Sequence, residues 1–127
     1  MLPPIPPQVT VAAAKAGKEL VTILGPTVLK QGLKLLDTNS KVKRGAFQDC
    51  SIEMFGDKAC IVVNENSGEV VMLTSDTIQS YRYVKEKKKL GGKGYHTYFY
   101  YDITFKDGNE SYVRMRRKYL EAIERYA

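Results

Sequence analysis

Between Tyr95 and Phe105 the chain reads Tyr-His-Thr-Tyr-Phe-Tyr-Tyr-Asp-Ile-Thr-Phe, with apolar residues at every second position, and that period is the period of a β-strand. Tyr95, Phe99, Tyr101, Ile103 and Phe105 are expected on an inward face, and His96, Tyr98, Tyr100, Asp102 and Thr104 on an outward one. Lys106-Asp107-Gly108 suits a three-residue hairpin loop in which Gly108 takes a positive φ. Such a loop conserves parity, so Val113 and Met115 of the returning strand fall on the side of Ile103 and Phe105. A helix from Arg116 to Tyr126 follows. Its Tyr119, Ala122, Ile123 and Tyr126 recur at i, i+3, i+4 and i+7, one stripe to lay on the hairpin's inner face.

Upstream, strands are expected at about Gln48–Phe55, Ala59–Asn64, Glu69–Leu73 and Ile78–Glu86, with a last one at Asn109–Met115. The short connections carry turn residues, which implies an antiparallel meander. If Gly56-Asp57-Lys58 is the first turn, Met54 faces Cys60. Carrying that register on places Val62, Cys60, Val71, Leu73, Ile52 and Met54 on one apolar face, and Ile61, Val63, Val70 and Met72 on the other. A half-solvated antiparallel strand would not be apolar on both sides, so something must cover the second face.

The nearest candidate is the segment Val9–Leu36, expected to be helical in two pieces divided at Gly25-Pro26. Leu29, Leu33 and Leu36 of its second piece lie along one side and need a partner; a second copy of the chain is the alternative cover. Met1–Gln8, with four prolines, reads as an extended tail. Asp37–Gly45 reads as a polar, basic connector. The expected organisation is therefore a proline-rich tail over 1–8, a helical arm and basic connector over 9–45, and a β-rich body over 46–127.

Cys50 and Cys60 are the only cysteines, and in the expected register they lie about 13 Å apart along a strand, too far for a disulfide. Two reduced thiols imply a cytoplasmic setting. Met1-Leu-Pro-Pro-Ile-Pro-Pro has neither the basic region nor the apolar run of a secretory leader, and Leu20–Leu29 is too short to span a bilayer.

Little in the sequence suggests catalysis. His96 is the only histidine, and no Ser or Cys nucleophile can be linked to it by a motif. One His and two Cys without a Cys-x-x-Cys pair make no zinc site, and Lys89-Leu-Gly-Gly-Lys-Gly-Tyr lacks the spacing of a phosphate-cradling loop. No catalytic residue, metal or cofactor is expected.

A net charge of +6 and a pI near 9.3 point toward anionic partners. The charge is concentrated: Lys85, Lys87, Lys88, Lys89 and Lys93, with Arg82 upstream, crown one hairpin, and Arg114, Arg116, Arg117 and Lys118 sit where the last strand becomes the helix. Both clusters are candidate anion-binding sites. The competing readings are a solvated loop that guards the hairpin against strand pairing, and cations lying over tyrosine rings. Tyr98, Tyr100 and Tyr112 fall on the outward face of the last hairpin, where they would contact a partner or stack bases unless the helical arm covers them.

The meander that ends in a strand, a Phe-Lys-Asp-Gly turn, a strand and a closing amphipathic helix resembles the pleckstrin-homology-like (PH-like) superfold, in particular its small bacterial domains. The resemblance spans about Phe47 to Ala127 and rests on Ile78-Gln-Ser-Tyr, Asp102-Ile-Thr-Phe-Lys-Asp-Gly and Lys118 to Tyr126. It implies an α+β, mostly β fold, an antiparallel meander forming a partly open barrel closed by the C-terminal helix, with the helical arm in front. It also implies a scaffold that binds lipids, peptides or proteins. Two features depart from that pattern. Six strands are counted where seven are usual, so a bend inside Phe47–Phe55 would have to divide one of them. The basic loop also lies late in the chain, whereas phosphoinositide-binding members carry theirs in the first hairpin. The expected function is a non-enzymatic binding module, peripheral to the membrane, that engages an anionic lipid surface or an acidic protein partner. The alternatives are a sequence-tolerant nucleic-acid binder and a homo-oligomer assembled through the helical arm.

Overall fold

The computed structural model describes residues 18–34, 39–91 and 94–127. Within them the chain forms a mostly antiparallel sheet and a C-terminal helix. A 3-10 turn, Lys18–Leu20, leads into β1 (Thr22–Ile23), helix α1 (Pro26–Gly32) and β2 (Leu33–Lys34). There follow β3 (Lys41–Gly45), β4 (Ser51–Phe55), β5 (Lys58–Asn64), β6 (Glu69–Met72), β7 (Ile78–Gly91), β8 (Gly94–Phe105), β9 (Glu110–Arg116) and helix α2 (Arg117–Tyr126). The strand order is β1-β6-β5-β4-β3-β9-β8-β7, with β2 added beside β4.

The sheet is open. Its terminal strands β1 and β7 are not joined to each other, so the ladder does not close into a barrel. It nevertheless wraps α2, which touches β4 and β5 in one limb and β8 and β9 in the other. The alternation along β8 sets this up: Phe99, Ile103 and Phe105 are buried, Val113 and Met115 join them from β9, and Tyr119, Leu120, Ala122 and Ile123 meet them from the helix. Gly108 has φ 88°, and the amide of Phe105 donates to the carbonyl of Asn109, the three-residue turn that the sequence predicts. At the far end of the helix the hydroxyl of Tyr126 donates to the carboxylate of Asp57 in the β4–β5 turn.

Tyr95 is the exception to the alternation. It is 71% exposed, because β8 runs on past the point where α2 begins.

The register of the other limb differs from expectation by one residue. Phe55 pairs with Lys58 and Met54 with Ala59, so the β4–β5 turn is the two-residue Gly56-Asp57, with Gly56 at φ 64°. Between β5 and β6 a bulge follows Val62, and Ile61 rather than Val62 faces Val71. Because the side-chain period is two, this slip exchanges faces: Ala59, Ile61, Val71 and Leu73 join the main core, whereas Cys60, Val62 and Val70 lie on the opposite side. Cys50 packs against the main core, so the two cysteines occupy opposite faces of the sheet and both are free.

That second face is covered by the N-terminal segment. Leu29 is fully buried against Cys60, Val62 and Val70, with Leu24, Leu33, Phe55 and Met72 around them. Pro26 opens α1, as the Gly25-Pro26 break predicts, but the helix stops at Gly32 instead of running to Leu36. Gly32 lies so close to β4 that a Cβ there would come within 2.1 Å of the Phe55 ring, and the chain then turns extended to pair with β4. The tail and the expected first helical piece up to residue 17 lie outside the described residues, as do residues 35–38. The rest of that piece is not the expected α-helix but a 3-10 turn and β1, because Thr22 and Ile23 pair with Val70 and Glu69 at the sheet edge.

The expected connector is partly a strand. Lys41–Gly45 forms β3 between β4 and β9, and it is this segment, not a bend within Phe47–Phe55, that supplies a seventh strand to the meander. Only Val42 of β3 is buried and a bulge falls at Lys43, so the segment carries no readable alternation.

Candidate cationic face and ribbon

The register of β3, β9, β8 and β7 builds one polar surface on the side away from α2. Tyr100 stands between Arg114 of β9 and Lys85 of β7, and Lys41 of β3 pairs with Arg114 in the same row. In the next row Arg44, Tyr112, Asp102 and Arg82 are successive neighbours; in the row on the other side, Arg116, Tyr98 and Lys87 are. Six of the ten cations expected to bind anions can thus be placed in the site, Arg82, Lys85, Lys87, Arg114 and Arg116 on this face and Lys89 beyond it, opposite His96. Lys41 and Arg44 belong to it too, and sequence reasoning missed them by treating β3 as a connector. The consecutive cations of Lys41-Val-Lys-Arg were the available signal.

The aromatic rings hold these cations in place. The Arg44 guanidinium lies 4.4 Å from the centroid of Tyr112, and the Lys85 ammonium 5.0 Å from that of Tyr100. Tyr100 and Tyr112 themselves lie 5.8 Å apart at an interplanar angle of 31°. Arg114 covers Tyr98 at 5.8 Å and is anchored by a 2.8 Å hydrogen bond from Nε to the carbonyl of Asn39. Tyr98 is only 2% exposed, with the Asn39 side-chain amide reaching its hydroxyl, so it is not the partner contact expected of it. Its burial follows from Arg114 beside it, which the alternation places on the same face, and from Asn39 before β3, which the sequence pattern does not reveal. Tyr100 and Tyr112 remain half-exposed. Among the acidic groups in these rows, Asp102 is engaged by Arg82.

The remaining expected cations lie elsewhere. Lys88 pairs with Thr97 on the opposite side of the hairpin, and Arg117 lies 4.9 Å over the ring of Phe99 on that same side. Arg117 and Lys118 form the first turn of α2 and, with Tyr95, His96, Thr97, Arg116 and Glu121, line an open groove of about 530 Å³. Lys93 falls outside the described residues.

Lys85–Lys89 belong to a strand and not to a loop, since β7 continues to Gly91. The pairing of β8 with β9 ends at Tyr98 and Arg116, whereas that of β7 with β8 continues through Lys88–Thr97, Lys89–His96, Leu90–Tyr95 and Gly91–Gly94. A two-stranded ribbon therefore projects about 13 Å beyond the sheet.

Among the described residues no cluster of His, Cys, Asp and Glu could hold a metal ion, and no helix is long and apolar enough to cross a membrane. Comparison of the chain with protein-family models, curated proteins and solved structures found no match.

Proposed function

We propose that the protein is a non-enzymatic PH-like binding module that lays the outer face of β3, β9, β8 and β7 against an anionic surface, the headgroup layer of a membrane. The observation that carries this reading is the concentration of Lys41, Arg44, Lys85, Lys87 and Arg116 on one side of four adjoining strands, with Arg82 paired to Asp102 and Arg114 buried among them. Cations spread over a broad face suit a surface of diffuse negative charge, to which each contributes about 1 kcal/mol when close. A PH-like architecture is supported by the run of seven strands, β3 to β9, followed by a helix that the sheet enfolds. Base stacking is the weaker alternative, because Tyr98 is buried and Arg44 and Lys85 already lie over the rings of Tyr112 and Tyr100.

Co-sedimentation with vesicles tests the reading. At low salt the protein is expected to bind phosphatidylserine-containing vesicles and not phosphatidylcholine ones, and to lose that binding as salt rises. Arg44 and Lys87 are exposed, so reversing them alters charge and not the core. The Arg44→Glu/Lys87→Glu variant should bind at least about tenfold more weakly. Undiminished binding by that variant would remove this face from the mechanism, and tighter binding of single-stranded oligonucleotides than of vesicles at the same salt would replace the proposed partner.

A further inference from the structure

Leu90 and Tyr95 are cross-strand partners near the tip of the projecting ribbon, side by side on one face, and they are 72% and 71% exposed. A ribbon tip that needed only to stay soluble would carry polar residues there. We propose that this tip enters the interfacial layer of an anionic bilayer, Leu90 and the Tyr95 ring passing below the headgroups while the lysines behind them remain at headgroup depth. The proposal rests on the membrane reading of the cationic face and names a second, apolar element of the same contact.

Three features of the ribbon select a bilayer over an acidic protein surface. First, the cations collar the tip on both faces: Lys88 stands one pair behind Leu90 on the same face, with Lys87 and Lys89 on the other. Lys88 lies about 7 Å further from the tip than Leu90, which places its charge among phosphates when Leu90 is buried to the roughly 5–10 Å typical of interfacial segments. Second, the pair next to Leu90 and Tyr95 toward the tip is Gly91 and Gly94, and neither has a side chain that would hold those two away from a surface. Third, Arg116, Arg117 and Lys118 line the groove behind Tyr95, where Glu121 is the one acidic group among the lining residues. A leucine and a tyrosine within a ring of cations match the apolar, aromatic and basic strata of an interface.

The chain contains no tryptophan, so the full-length Leu90→Trp variant carries a single reporter at the tip. With phosphatidylserine/phosphatidylcholine vesicles at low salt its emission should shift to the blue, and lipids brominated on the acyl chains should quench it. Tyr83→Trp, at a half-exposed position nearer the sheet, should bind equally and keep a water-like spectrum. Co-sedimentation of Leu90→Trp without a shift would overturn tip insertion and leave binding through the cationic face standing; failure of the native protein to co-sediment at all would overturn both. A shift produced equally by polyglutamate would reassign the tip to an acidic polypeptide. Independently of any reporter, Leu90→Ser/Tyr95→Ser should retain binding at low salt but bind at least tenfold more weakly than native protein at physiological salt, and equal binding there would also overturn the proposal.

Discussion

The two thiols differ in environment although they lie ten positions apart in sequence. Cys60 is fully buried opposite Glu53, and burial first, then the Glu53 carboxylate, pushes its pKa up from 9.0 to about 12. Burial, and secondarily Asp49, also raises that of the half-buried Cys50. Since the thiolate is the reactive form, Cys60 is the more protected of the pair on both counts. A disulfide reagent at pH 8 should modify Cys50 slowly in the native protein and Cys60 only on unfolding; two thiols of equal reactivity would contradict the packing of α1. A group whose folded pKa is raised contributes fully below its unfolded value and loses that contribution as pH rises through the folded value. The stability gap between native protein and Cys60→Ala should therefore be constant below pH 9.0 and narrow as pH climbs toward 12.

At the scale of elements, α1 substitutes for the solvent that an antiparallel face ordinarily meets. Leu29 is fully buried against Cys60, Val62 and Val70, so Leu29→Ala should cost about 2–5 kcal/mol in urea unfolding, whereas the exposed Val28 on the same helix should tolerate Ala with little loss. Equal and small losses would mean that the arm does not pack on this sheet. The need for such a cover was legible in the sequence, because β5 and β6 are apolar at consecutive positions. Which residues it touches was not. A three-residue turn at Gly56 and a regular crossing to β6 fit the sequence as well as the two-residue turn and bulge that occur, and each one-residue error exchanges the faces of a strand. By contrast β8, β9 and α2 could be read directly, since the long alternation, the Lys106-Asp107-Gly108 turn and the helical stripe constrain one another. The cationic face was legible in part: its β8 and β9 members follow from that alternation, but Lys85 and Lys87 lie past a bulge in a stretch that reads as a loop, Lys41 and Arg44 depend on a strand with one buried apolar residue, and the burial of Tyr98 depends on a partner 59 positions away.

Over the whole molecule, the helix that completes the core lies on the side of the sheet opposite the candidate site. The cationic rows run across β3, β9, β8 and β7, and α2 packs behind two of those strands, β8 and β9, with Tyr119 and Ile123 fully buried between the two limbs of the sheet. An open sheet has no closing ladder to hold its limbs together, so the helix takes that part and the limbs should not unfold separately. Ile123→Ala is expected to lower stability by about 2–5 kcal/mol. It should leave one transition, coincident by far-ultraviolet circular dichroism and by tyrosine fluorescence. Two separated transitions in the variant would show that the limbs are independent units. Below its unfolding temperature the same variant should bind anionic vesicles like the native protein, because Ile123 lies on the inner side of the sheet and contributes no charge to the outer one; weakened binding by folded Ile123→Ala protein would show that the site extends to the helix.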